Sequence, residues 1–317
     1  MRSHTYSISL LALIFSLTLI FSGPALAQEG EMDEFDGTYV ISEGSWPGIQ
    51  VKNEVFRQVL GAAGYEFETE FLGQPMMYEG LSQGDVDLYI GSWMPEEEGM
   101  RDGFAGDYEV VSTQLDDAVY ISAVPSYVYE AGVTSHADLD DHAEKFDHTI
   151  YAGAHGEGAD ELLTEAIEED IYGLGDWELV NADWPATVTE AEQAIEDGEW
   201  IVFPGWQPHW MNVILDIEYL DDPKNAWGEG TSVIENLAHP TLDERAPNLY
   251  QVLENFQIES EHQSLWIFEY DQEDREMSAV AEEWIEENMD VVADWLEGAV
   301  AEDGSPAIEA VEEEFLN

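Results

Sequence analysis

The 317-residue chain carries 71 Asp and Glu against 8 Lys and Arg, a formal charge of −63 spread along its whole length, with 44% apolar residues and no cysteine. This balance all but excludes nucleic acid as a partner, since a phosphate backbone is held by cationic side chains, and the apolar fraction excludes an acidic disordered tail. Self-repulsion of this size destabilises a compact fold in dilute buffer, while ~1 M salt shortens the Debye length to roughly 3 Å, so the composition points to a protein that works in brine.

Arg2 and His4 precede an apolar run over 8–21; Gly23-Pro24 breaks it, and Ala25-Leu26-Ala27 offers small residues for cleavage before Gln28. Residues 1–27 therefore read as a cleavable export signal, and the run is short for a membrane span. Without cysteine there is no disulfide and no thiol for a lipid anchor, so a free, soluble, periplasmic protein is expected. No Asp-x-Asp-x-Asp-Gly calcium loop occurs, and no metal or cofactor is expected.

In chain order, a strand over 39–42 leads through a Trp46 loop into a helix over 49–63, with Val51, Val55, Val59 and Ala62 on one face. A strand over 66–71, a helix from Pro75 to Leu81 and a strand over 85–90 follow, the last running into a Trp93 loop. A strand over 120–125 suits a crossing between two domains. Beyond it the alternation restarts: a strand over 149–152, a loop and helix over 156–168, a strand over 178–180, a helix over 186–196, and a strand over 200–203 that ends at a Trp206 loop. The region from Asp243 reads as mostly helical, with Trp284 and Trp295 in the core. Alternating strands and helices predict an α/β fold of two domains, each a mostly parallel sheet flanked by helices, with ligand in the cleft. Domain 1 is 36–121 plus 231–317 and domain 2 is 122–230, with crossings near Tyr120 and Gly230.

Trp46 in Gly-Ser-Trp-Pro-Gly, Trp93 in Gly-Ser-Trp-Met-Pro and Trp206 in Gly-Trp-Gln-Pro-His share one kind of setting. Aromatic faces hold an organic cation by roughly 0.5–2 kcal/mol per ring. The three rings, with Tyr120 as a fourth and Trp184 as a further candidate, are therefore expected to converge on a cation pocket. A trimethylammonium group has no N–H to donate, so ring faces serve it better than carboxylates do. Hydrated sodium does not fit such a pocket.

Three segments are very close to those of a known group: Asp85-Val86-Asp87-Leu88-Tyr89-Ile90-Gly91-Ser92-Trp93-Met94-Pro95, Ala123-Val124-Pro125-Ser126-Tyr127-Val128-Tyr129-Glu130-Ala131-Gly132 and Ile201-Val202-Phe203-Pro204-Gly205-Trp206-Gln207-Pro208-His209. From Thr38 to Leu296 the chain resembles the periplasmic substrate-binding proteins of ABC importers for quaternary ammonium compounds. The resemblance implies a two-domain clamp of the type II periplasmic-binding-protein class. It also implies an aromatic box of Trp46, Trp93, Tyr120 and Trp206, and delivery of the ligand to an inner-membrane permease by a monomer. Two positions depart from the choline-binding pattern: Gly48 replaces an Asp, and Glu157 replaces an Asn. Gly48 and Ile49 could present backbone N–H groups to a ligand carboxylate, and His209 is a candidate donor to the same group or a structural hydrogen-bonding residue. Glu157 favours a ligand with no acidic group, or needs a proton to tolerate one; it could equally be a solvated surface acid. Glycine betaine is the first expectation, with choline, carnitine and trimethylamine oxide as alternatives.

A secreted hydrolase would use His209 or His155, yet the chain has no Gly-x-Ser-x-Gly elbow, no His-Glu-x-x-His and no thiol, so no enzyme activity is expected. A salt-dependent adhesion protein would use its aromatic loops on a macromolecular partner.

Overall fold

The computed structural model of the protein describes residues 37–227 and 231–316; the expected export signal and Gly230 lie outside them. Strand β1 (Thr38–Glu43) leads into helix α1 (Pro47–Ala62), whose Val51, Val55 and Val59 are buried at helical spacing. Pro47 opens this helix, where a missing N–H costs nothing. Gly64 closes it at φ 104°, with its N–H donating to the Gly61 carbonyl and the Tyr65 N–H to that of Leu60. Then come β2 (Glu66–Phe71), α2 (Gln74–Gln83), β3 (Leu88–Met94), α3 (Glu98–Asp102) and the 17-residue β4 (Glu109–Pro125). After α4 (Ser126–Glu130) and two 3-10 turns, the chain forms β5 (Thr149–Ala152), α5 (Gly158–Glu168), β6 (Glu178–Asn181), α6 (Trp184–Asp197) and β7 (Phe203–Gln207). It continues through α7 (Met211–Ile214), β8 (Ile217–Tyr219) and β9 (Thr231–Ala238). The helices α8 (Leu242–Arg245), α9 (Pro247–Asn255), α10 (Ser260–Ile267), α11 (Met277–Glu287), α12 (Met289–Trp295) and α13 (Ala307–Leu316) complete it. Trp284 and Trp295 are buried in the core beneath them, as expected.

The sheets correct one part of the sequence reading. The larger has the order β2-β1-β3-β9-β4-β7, with β8 also on β4, and is mixed rather than mostly parallel. Among the described strands, parallel pairing is confined to β1–β2, β1–β3 and β5–β6. The cause is β9, which the sequence reading passed over: it returns between β3 and β4 and pairs antiparallel with both. Strand β4 then changes partners along its length. Its first half lies on β9 as far as Val119, and its second half lies on β7 from Val119 to Ala123.

β9 also explains a shift in β3. The expected strand over 85–90 begins only at Leu88, because Asp85 and Val86 donate to the Gly80 carbonyl and close α2, while the Asp87 carboxylate accepts the Val40 N–H at 2.8 Å and pairs with Arg245. At its other end β3 continues through Ser92, Trp93 and Met94, since Glu235, Ile234 and Val233 of β9 stand opposite them. Similarly, the strand expected over 200–203 lies at Phe203–Gln207, paired with β4. Trp93 and Trp206 are thus strand residues, not loop residues.

Candidate functional site

The rings singled out in the sequence come together. Trp93 on β3, Tyr120 on β4 and Trp206 on β7 stand on neighbouring parts of one sheet, with Tyr120 directly opposite Trp206 in the strand register. Trp46 reaches the same place from the N-cap of α1, and Trp184 from the first residue of α6. All five line one cavity of about 30 Å³, together with Gln74, Glu96 and Glu97; a single water needs about 10–15 Å³. Ring centroids are 6.0 Å apart for Trp93–Tyr120, 6.2 Å for Tyr120–Trp184 and 5.2 Å for Trp184–Trp206, the last two pairs edge to face. Trp227 backs Tyr120 at 5.7 Å. The five lining rings are all buried.

Two glycines make this packing possible. A Cβ on Gly44 would lie 2.0 Å from Trp46 Cζ3, and one on Gly153 would lie 2.4 Å from Trp184 Cζ2. Each indole therefore rests on bare backbone. Gly44→Ala is expected to push Trp46 off its seat and weaken ligand binding by about tenfold or more, the scale of one ring contact. Thermal unfolding measured beside a ligand titration separates this loss from simple destabilisation, and unchanged affinity would show that Trp46 does not need its present position.

The polar wall is acidic. Glu97 is fully buried and accepts from the Tyr78 hydroxyl at 2.6 Å, the Tyr89 hydroxyl at 3.0 Å and Gln74 Nε2 at 3.0 Å. Burial pushes its carboxyl up to about 8 against the pull of these donors. Lys52, fully buried on α1 with Nζ donating to Gln114 Oε1 at 2.7 Å, is pushed down to about 7 by burial, partly offset by the charge of Glu97. Glu96 accepts the Ser232 hydroxyl on Oε1 at 2.6 Å, and its other oxygen is buried without a hydrogen-bond partner. No Lys, Arg or His is among the residues lining the cavity. Such a cavity can take a compact group whose positive charge is spread over methyls, which rings attract by dispersion and by their quadrupoles.

Glu157 is the N-cap of α5 and is buried, but it does not line the cavity. Burial raises its carboxyl to about 7; Trp184 lies close enough to oppose this, although its Nε1 makes no hydrogen bond of normal geometry. The alternative of a solvated surface acid does not hold. Gly48 and Ile49 form the buried first turn of α1, where Trp46 supplies no side-chain cap, and neither lines the cavity. A Cβ on Gly48 would meet Gln263 Nε2 at 2.8 Å, so the Gln263 side chain on α10 packs directly on this glycine. His209 sits behind Trp206 at 4.6 Å, its Nδ1 accepting the Met211 N–H at 3.2 Å; burial alone depresses it to about 3 and keeps it neutral. His155 has an exposed side chain paired with Asp160 at 2.8 Å. Neither histidine lines the cavity. No group of acids and histidines suited to a metal occurs among the described residues.

Sequence reasoning missed Gln74, Glu96, Glu97 and Ser232. The one local signal was the position of Glu96-Glu97 directly after Trp93-Met94-Pro95.

A sequence profile described as the substrate-binding domain of ABC-type glycine betaine transport systems matches residues 37–287. The chain belongs to this family. The binding protein is 34% identical over 164 residues to the glycine betaine/carnitine transport binding protein GbuC of Listeria monocytogenes, a match covering 52% of this chain and 54% of that protein. Its fold superposes on an ABC-transporter choline-binding protein in complex with choline at a TM-score of 0.84, with 25% identity over 88% of this chain and 98% of the other. Lactococcal OpuAC, in its closed form with glycine betaine, gives a TM-score of 0.76 with 24% identity over 82% of this chain and 99% of the other, a likeness of fold. The α/β periplasmic-binding-protein architecture expected from the sequence is therefore the observed one, built around a mixed sheet. Among the described residues no helix is long and apolar enough to cross a membrane.

Proposed function

We propose that this protein binds a quaternary ammonium solute of the glycine betaine and choline type in the aromatic cavity and hands it to an ABC permease in the inner membrane, without performing chemistry on it. One observation carries the reading: five buried rings from separate elements line one cavity whose only ionisable non-aromatic side chains are carboxyls. In this reading the binding protein is a periplasmic monomer, exported by residues 1–27. It works as a clamp of two lobes, 36–121 plus 231–317 and 122–230. Support comes from β4, which changes partners from β9 to β7 beside Tyr120, and from the Trp210 indole N–H, which donates to Asp271 across the proposed lobe boundary. Ligand favours the closed form by touching rings of both lobes, and closure is the state the permease recognises.

Calorimetry in molar sodium chloride with glycine betaine, choline, carnitine and trimethylamine oxide tests the ligand class. A dissociation constant in the micromolar range, about −8 kcal/mol, is expected for at least one. Absence of heat and of any tryptophan fluorescence change with all four ends the proposal.

A further inference from the structure

We propose that Glu96 reads the non-ammonium end of the ligand: as an acid it donates to a ligand carboxylate, and as a carboxylate it accepts from a ligand hydroxyl. This rests on the quaternary ammonium reading above and deepens it. Glu96 is 5% exposed and lines the aromatic cavity. Ser232 on β9 occupies its Oε1, while Oε2 is buried with no partner. The other lining carboxyl, Glu97, is occupied by Tyr78, Tyr89 and Gln74. Glu96 is thus the lining carboxyl that keeps one oxygen unpaired with any protein group, and because a buried polar atom without a partner is costly, a guest that offers it a hydrogen bond is favoured.

The charge of the guest then decides the state of the carboxyl. No cationic side chain lines the cavity, so a zwitterion's carboxylate brought beside an ionised Glu96 would meet like charge, and it is accommodated only with a proton between the two. A cationic alcohol such as choline brings net positive charge and a hydroxyl donor, which favour the ionised form. Burial places Glu96 at about 7, with the Ser232 hydroxyl opposing, so both states are within reach at neutral pH. The surrounding titratable groups are Glu97 on its own turn, Tyr78 from α2, Tyr89 from β3, Tyr120 from β4, Lys52 from α1, and Glu157 from the N-cap of α5, whose charge acts on Tyr89. On β9, Glu235 is held by Arg101 at 2.6 Å.

The signs are opposite for the two ligands. Affinity for a betaine is full below the Glu96 value and falls about tenfold per pH unit above it; affinity for choline is full above that value and falls about tenfold per unit below it. Their ratio therefore changes about tenfold per unit throughout.

The experiment titrates the protein in molar sodium chloride with glycine betaine and with choline chloride at about pH 6 and about pH 8, using the unaltered chain, Glu96→Gln and Glu157→Gln. Glutamine keeps the shape and a donor but cannot ionise. The betaine-to-choline affinity ratio is expected to fall about a hundredfold between these pH values in the unaltered chain and in Glu157→Gln, and to stay level in Glu96→Gln. A level ratio in the unaltered chain overturns the proposal even if Glu96→Gln does not fold. So does a slope that persists in Glu96→Gln or vanishes only in Glu157→Gln. Binding of neither ligand overturns the Glu96 proposal, and the quaternary ammonium reading itself falls only if carnitine and trimethylamine oxide fail to bind as well.

Discussion

Replacing Trp206 with alanine is expected to weaken binding of glycine betaine or choline by at least about 30-fold, and Trp93→Ala by a similar factor. A desolvated ring facing a cation contributes about 2 kcal/mol or more, and each 1.4 kcal/mol is about tenfold in affinity. Trp206 exceeds an isolated contact because its ring meets Trp184 at 5.2 Å and His209 at 4.6 Å, so its loss also frees a second wall of the cavity. Trp206→Phe keeps a smaller π face and is expected to lose only a few-fold. Calorimetry on all three variants, with circular dichroism to confirm folding, checks the series. Alanine variants that stay within twofold of the parent would remove both rings from the site.

Transfer from about 2 M to about 0.1 M sodium chloride is expected to lower the unfolding temperature by more than about 10 °C, because the Debye length grows from a few ångströms to about 10 Å. The chain has little internal means of compensating its charge of −63. Among the described residues the few cations are already committed: Arg57, Arg101, Arg245 and Arg275 pair with acids, Lys145 and Lys224 lie over the Trp200 and Tyr172 rings, and Lys52 is buried on Gln114. Scanning calorimetry across a sodium chloride series reads the effect. An unfolding temperature independent of salt would mean that the acids are spaced widely enough to ignore one another, and that brine is not the protein's working medium.

Much of the site was legible before any coordinates. Trp46, Trp93 and Trp206 stand out because large aromatics beside glycine and proline at the ends of strands are poorly placed for an ordinary core, Tyr120 because it lies at the expected crossing and matches the fourth wall that the resemblance implies, and Trp184 because it sits at a helix start. The reading erred on their setting, since Trp93 and Trp206 lie within β3 and β7. Strand β9 carries Ser232, whose hydroxyl orients Glu96, yet its sequence offers only a short apolar alternation that the reading did not separate from its surroundings. The acidic wall was hidden for a different reason. In a chain with 71 acids, Glu96-Glu97-Glu98 reads as one more solvated run, yet Glu96 and Glu97 are buried while Glu98 is exposed.

Local rules were enough for what depends on neighbours along the chain: the α/β alternation, the helix over Pro47–Ala62 with its glycine stop, the burial of Trp284 and Trp295, and the overwhelming negative charge. These follow from hydrophobic period, turn chemistry and composition, which act within a few residues or over the whole molecule at once. The polarity of the central sheet and the choice of Glu96 over Glu157 as the carboxyl at the cavity wall were decided by tertiary structure alone. Both depend on β9 inserting between β3 and β4, a pairing across more than a hundred residues that no local pattern encodes. Which of many identical glutamates loses its water is likewise set only when distant strands close over it.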